Sequence, residues 1–218
     1  MWDQNDKNGF ITESNKHFGQ VKNNTLLANT INKLCNEKDN KTFLEIGTWN
    51  GYGSTKVFVD SLSNRTDTLF YSLECNKEKS EFARNLYKGK QNVFILNETI
   101  NKELPNDISI IFPDLLTNKQ YNYWNEVDVN NMKQCNLFLE RRDIPEFFDV
   151  IFLDGGEFTT YHEFQVLKLK CKYLLLDDTN TNKCLKIVDE IYRDKNKWKI
   201  LVHDKNERNG ILLCKFII

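Results

Sequence analysis

Phe43-Leu-Glu-Ile-Gly-Thr-Trp-Asn-Gly-Tyr-Gly-Ser-Thr55 is the stretch whose reading decides the fold. It reads as a short apolar strand closed by an acid, then a glycine-rich turn, then the opening of a helix. Glycine in such a turn lets backbone come close to a ligand because no Cβ intervenes. The helix that follows aims unpaired N–H groups into whatever crevice lies ahead of it. Glu45, at the strand end, decides which ligand is welcome. A carboxylate beside the turn repels a pyrophosphate and attracts an ammonium or a hydroxyl, which suits an amino-acid-bearing nucleoside better than a dinucleotide. The nicotinamide fingerprint also fails on spacing, since it needs glycine at the first, third and sixth turn positions. Counted from Gly47, the chain offers Gly47, Trp49 and Tyr52.

Outward from this stretch, apolar spacing predicts alternating helices and strands. Leu26, Leu27, Ile31, Leu34 and Cys35 mark a helix within 20–38, ahead of the first strand at 41–46. A helix over 52–62 and a strand over 68–73 follow, the strand closed by Glu74. Phe82, Ala83, Leu86 and Tyr87 mark the next helix, which stops near Gly89, and 92–96 is a third strand. Residues 104–146 interrupt the rhythm with Pro105, Pro113 and Pro145 and an aromatic cluster, Tyr121, Tyr123 and Trp124. They read as an insertion, helical around 129–140, with the aromatics in core or interface. The fourth strand, 148–153, ends at Asp154, and the fifth, 172–176, ends at Asp177-Asp178. Helices over 158–169 and 181–195 flank the fifth strand, and 198–203 with 210–218 close the chain as a hairpin. Strand–helix alternation of this kind implies a parallel sheet with right-handed crossovers. The expected fold is therefore a doubly wound, Rossmann-like α/β domain over 1–218. Its seven-stranded sheet is mostly parallel, with one antiparallel C-terminal strand and helices on both faces. Residues 1–18 read as an N-terminal arm.

Composition narrows the function classes. A chain of 218 residues with 40% hydrophobic and 28% charged content is long and apolar enough for one folded core. A net charge of −1 removes any global electrostatic case for nucleic acid or an anionic membrane. The six cysteines are scattered without a Cys-x-x-Cys pair, so free thiols are expected rather than a zinc site. Neither a signal peptide nor a membrane span is evident, and a cytoplasmic location is expected.

Acids close four strands: Glu45, Glu74, Asp154 and Asp177-Asp178. Ligands of an open parallel sheet sit beyond the carboxyl strand ends, where the winding direction reverses. The predicted strand order puts that crevice between Gly47 and Asp154, with Glu74 able to accept two hydrogen bonds from a ribose diol.

The run from Phe43 to Ser54 resembles the first motif of class I S-adenosylmethionine-dependent methyltransferases. It is most similar to the catechol, caffeoyl-CoA and macrocin-type O-methyltransferases, in which Glu-hydrophobic-Gly-x-x-x-Gly-Tyr-x-Ser is typical. The resemblance extends from Gly19 to the final hairpin. It implies that Gly47, Thr48, Gly51 and Ser54 line the methionine part of S-adenosylmethionine. By the same resemblance Glu74 holds the ribose, and Asn97 with Glu98 lies near the adenine. Asp154, Asp177 and Asp178 match the acids of the metal-dependent members, and the resemblance implies that these three, on neighbouring strand ends about 4.8 Å apart, converge on one hard cation such as Mg²⁺. The implied reaction is methyl transfer to a small hydroxylated acceptor, a sugar or phenol, with divalent-metal assistance. No nucleic-acid or membrane partner is expected, and a homodimer is compatible with the reading. The chain departs from the family after the fourth strand: Gly155-Gly156-Glu157 replaces Gly-Asp-His or a nearby lysine. Asp154 and Glu157 are accordingly the candidate catalytic acids, and His162 reads as a helix-surface residue. The alternative is a methyltransferase-like fold kept as a non-catalytic binding or scaffold protein.

Overall fold

Apolar side chains alternate along the central strands, and that period of two splits the core into two layers. The computed structural model describes residues 19–105 and 108–217, so the N-terminal stretch read as an arm lies outside the described residues. In order, the elements up to the third strand are α1 (Leu26–Asn36), β1 (Thr42–Ile46), α2 (Ser54–Ser61), β2 (Leu69–Leu73), α3 (Lys77–Leu86) and β3 (Val93–Leu96). After a two-residue strand β4 (Glu98–Thr99) come α4 (Ile108–Ile111), a 3-10 turn at Pro113–Leu116 and α5 (Lys119–Gln134). A short strand β5 (Asn136–Leu137) leads to β6 (Phe148–Leu153), α6 (Thr160–Leu167), β7 (Cys171–Asp177), α7 (Leu185–Arg193), β8 (Trp198–Asp204) and β9 (Ile211–Phe216).

The sheet order is β3-β2-β1-β6-β7-β9-β8. β3, β2, β1, β6 and β7 pair in parallel, and β9 runs antiparallel to both β7 and β8. The doubly wound architecture expected from the sequence is the one observed. Phe43, Phe70, Val150, Phe152 and Leu175 point to one face and pack with α1 and α2. Their neighbours Leu44, Tyr71, Ile151, Leu153 and Leu174 point to the other and pack with α6 and α7. No helix among the described residues is long and apolar enough to cross a membrane.

The interrupting segment differs from expectation. Its helix occupies Lys119–Gln134 rather than 129–140, because Asn118 caps it: the Asn118 side chain accepts the N–H groups of Gln120 and Tyr121. The aromatic cluster thus lies in the first two turns of a helix. Parallel pairing of β4 with β5 ties the end of α5 to the chain leaving β3. A small third core of Phe112, Leu115 and Phe158 holds the start of the segment against the chain entering α6. The segment is therefore fastened at both ends above the carboxyl edge of the sheet.

Phe58 tests the face that carries α2. Its ring is fully buried, stacked on Phe70 at 4.8 Å and against Phe152 at 6.1 Å. Phe58→Ala should cost about 3–5 kcal/mol in urea unfolding, as ring deletions in tight cores do. A loss below ~1 kcal/mol would contradict the packing described.

Candidate functional site

The carboxyl ends of β1, β2, β6 and β7 open into one cavity of about 720 Å³. Its floor is the glycine turn after β1, its sides are the loops after β2, β6 and β7, and its roof is α5. Tyr121, Trp124, Asp128 and Asn131 recur along one side of α5 and line this roof.

The turn after β1 is set by close backbone approach. Gly47 has φ +102°, and a Cβ there would stand 2.1 Å from the Asp154 carbonyl oxygen. Only glycine fits such a position without strain. Gly47, Thr48 and Ser54 line the cavity, as does Glu74. One Glu74 oxygen accepts the Trp49 N–H at 2.8 Å and the other accepts the Asn76 N–H at 2.8 Å. Burial outweighs these bonds and Lys79, and raises the Glu74 pKa. Each carboxylate oxygen can accept more than one bond, so Glu74 retains acceptor capacity toward the cavity.

Three of the expected site residues stand behind this wall. Glu45 is fully buried, and its carboxylate accepts the hydroxyls of Thr55 and Ser72, tying the helix, β1 and β2 together. Burial pushes its pKa up to about 7 despite those bonds. Gly51 packs on Ala83 and Tyr87. The Asn97 amide donates to the carbonyls of Glu74 and Cys75, at 2.9 and 3.0 Å, and so braces the loop that presents Glu74. Glu98, beside it, does line the cavity.

Asp154, Asp177 and Asp178 come together as expected, each with a carboxylate oxygen within 4.8 Å of the others. The sequence reading did not include the cation among them. Lys183 Nζ lies 2.7 Å from Asp154 Oδ1 and 2.6 Å from Asp178 Oδ2. Arg208 adds a guanidinium nitrogen 3.0 Å from Asp177 Oδ2. Asp177 itself is fully buried and does not line the cavity. Burial raises its pKa to about 7, with Asp154 adding to the effect. Burial works against a charge on Lys183, but Asp154 and Asp178 outweigh it and hold the ammonium protonated well above its ordinary range. A divalent cation at the three carboxylates would have to share the space of that ammonium. The donor set as folded does not fit a metal.

Gly155 and Gly156 lie against carboxylates from two helices. A Cβ on Gly156 would lie 2.3 Å from Asp128 Oδ2, and one on Gly155 would lie 2.8 Å from Glu163 Oε2. Carboxylates from α5 and α6 thus fill the space where larger residues at 155 and 156 would project. Burial pushes Asp128 up to about 7, with Glu74 adding to it, and pushes Glu163 up to about 8, with Asp128 adding to it. Glu157 lines the cavity and takes the Thr181 hydroxyl at 3.4 Å; burial raises its pKa too. His162 is buried, not on the surface as expected, because α6 is covered on both sides of its first turns. Sequence reasoning missed Asp128, Glu163 and Lys183. Only the helical spacing of Asp128 from Tyr121 and Trp124 was a signal.

The backbone is similar to that of solved methyltransferases. Against the precorrin-6y C5,15-methyltransferase of Geobacter metallireducens the TM-score is 0.55 at 12% identity, over 91% of this chain and 90% of that one. For the SAH-bound methyltransferase of Podospora anserina it is 0.53 at 12% identity, over 88% and 78%. For the O-methyltransferase of Bacillus cereus in complex with SAH it is 0.52 at 13% identity, over 96% and 84%. At such identities the likeness is one of fold. No family model matches the sequence, and no curated protein does.

Glu163 gives the cavity a measurable pH signature. Its folded pKa lies above its unfolded one, so the penalty of ionising it inside the protein grows from about pH 4.5 and is complete above about pH 8. Glu163→Gln should therefore raise the melting temperature relative to the parent at pH 8.5, by about 1–3 kcal/mol of stability, and lose that advantage at pH 4.5. An advantage independent of pH would show that Glu163 titrates normally.

Proposed function

We propose that this chain is an S-adenosylmethionine-dependent methyltransferase that methylates a hydroxyl oxygen of a small acceptor. Fold by itself does not license an activity. What carries the reading is Glu74, presented at the end of β2 into a cavity that opens at the winding reversal beside Gly47. Carboxylates outnumber cations on its walls: Glu74, Asp128, Asp154, Glu157 and Asp178 face Lys79 and Lys183. Such a wall favours a nucleoside bearing a sulfonium and an ammonium over a polyphosphate.

In this reading Glu74 takes the ribose hydroxyls, Gly47, Thr48 and Ser54 border the methionine part, and Glu98 lies toward the adenine. Glu45, Gly51 and Asn97 act through the backbone that they brace. The bound cofactor supplies an already activated methyl group, so the protein has mainly to align and to manage a proton. Tyr121 and Trp124 confine the acceptor beneath α5 and exclude water. With the cofactor bound, its methyl group would pass from sulfur to the acceptor oxygen, and the proton of that oxygen would pass to a cavity carboxylate. Glu157 is the first candidate for that base, since carboxylates raised toward neutrality suit proton transfer near pH 7. The trio Asp154, Asp177 and Asp178 is the feature from which the sequence reads metal assistance. With Lys183 between two of its members, no step is assigned to a metal.

Calorimetric titration with S-adenosylmethionine should give saturable binding, weakened about tenfold or more in Glu74→Ala, a loss of at least ~1.4 kcal/mol. No binding by the parent protein at high micromolar cofactor would remove the enzymatic reading and favour the non-catalytic alternative.

A further inference from the structure

We propose that Lys183 is the resident cation of the strand-end carboxylates, standing where a divalent metal would bridge Asp154 and Asp178, so that this site works without one. The proposal rests on the methyl-transfer reading for the use made of the charge, but not for where the charge lies.

Geometry is the first support. Lys183 Nζ sits within 2.7 Å of one oxygen on each of two carboxylates from neighbouring loops. Mg²⁺ requires its oxygens at about 2.0–2.1 Å in near-octahedral array. An ammonium and a metal cannot both occupy the gap. Charge is the second support. Three carboxylates with one divalent cation carry a net −1, and the same three with Lys183 and Arg208 carry the same net charge. Arg208 stands 3.0 Å from Asp177 and Lys183 serves the other two, so each carboxylate of the trio has a basic partner.

Burial is the third support. The Lys183 side chain is 9% exposed and Asp154 and Asp178 are 20% and 13% exposed, so removing the ammonium would leave two poorly solvated carboxylates unpaired. Its path is short and tethered. Lys183 lies immediately before Cys184, the N-cap of α7, and five residues after Asp178, which itself sits in the left-handed region at φ +55° and accepts the Asn209 side-chain amide on its other oxygen at 2.9 Å. Lys183 also lines the cavity. An ammonium has three N–H donors, and two serve Asp154 and Asp178. The third is the donor that an acceptor oxygen in the cavity can use, in place of a metal's empty coordination position.

Manganese binding decides the matter without any assay of activity. Mn²⁺ is titrated into the parent protein, Lys183→Met, and Lys183→Met combined with Asp154→Asn, with free Mn²⁺ read by its electron paramagnetic resonance signal. The expected result is no saturable binding to the parent up to millimolar Mn²⁺, binding at least about tenfold tighter in Lys183→Met, and loss of it in the double variant. Micromolar Mn²⁺ binding by the parent that Asp154→Asn abolishes would overturn the proposal. So would a folded Lys183→Met that binds Mn²⁺ no better than the parent. Should Lys183→Met fail to fold, the parent and Asp154→Asn still decide: saturable, Asp154-dependent binding overturns the proposal, and its absence supports it. Failure of the methyl-transfer reading shows instead in the cofactor titration, which can fail while the manganese result stands.

Discussion

Two backbone contacts at one place set the rest of the molecule. Asp154 gives its N–H to the Ile46 carbonyl at 2.9 Å, while Gly47 and Thr48 give theirs to Leu73 at 3.0 and 3.2 Å. The chain leaving β1 is thereby drawn toward β2 on one side and braced by β6 on the other. Successive crossovers run in opposite directions from this point, and the helices that cover the sheet leave the crevice between them open. Gly47 is compelled by that contact, since any Cβ would collide with the Asp154 carbonyl. The cavity is thus a consequence of topology before any side chain is considered.

Side chains then make it acidic, and the acidity creates an electrostatic problem. Carboxylates withdrawn from water are costly unless they are protonated or paired. This chain uses both solutions. Glu45 and Glu163 are held toward protonation by burial, whereas Asp154 and Asp178 are paired with Lys183. The result is a slot that is negative overall yet locally balanced at its deepest acids. A ligand with cationic groups completes the balance; an anionic one worsens it.

The inserted segment changes what the cavity can hold. Without α5 the crevice would be an open groove, as the sheet edge alone offers no roof. With α5 fastened by the β4–β5 pairing and by the Phe112–Phe158 contact, aromatic rings and Asp128 face the strand ends. Carboxylate oxygens from α5 and α6 stand in the room that side chains at 155 and 156 would use.

Strand order, the crevice beside Gly47 and the meeting of Asp154 with Asp177 and Asp178 were legible in the sequence. Each depends on local period and on the rule that parallel strands point the same way, so a linear pattern suffices to place the strand ends together. The roles of Glu45, Gly51 and Asn97 were less legible, because a residue at a strand end or turn can face the ligand or brace the backbone, and spacing does not distinguish the two. Lys183, Arg208, Asp128 and Glu163 were decided only by tertiary structure. Their neighbours in the cavity come from other loops and helices, and whether a charged side chain meets an opposite charge or open water depends on packing that one-dimensional periodicity does not encode. The sequence by itself determined where the acids gather; the folded chain decided which cation gathers with them.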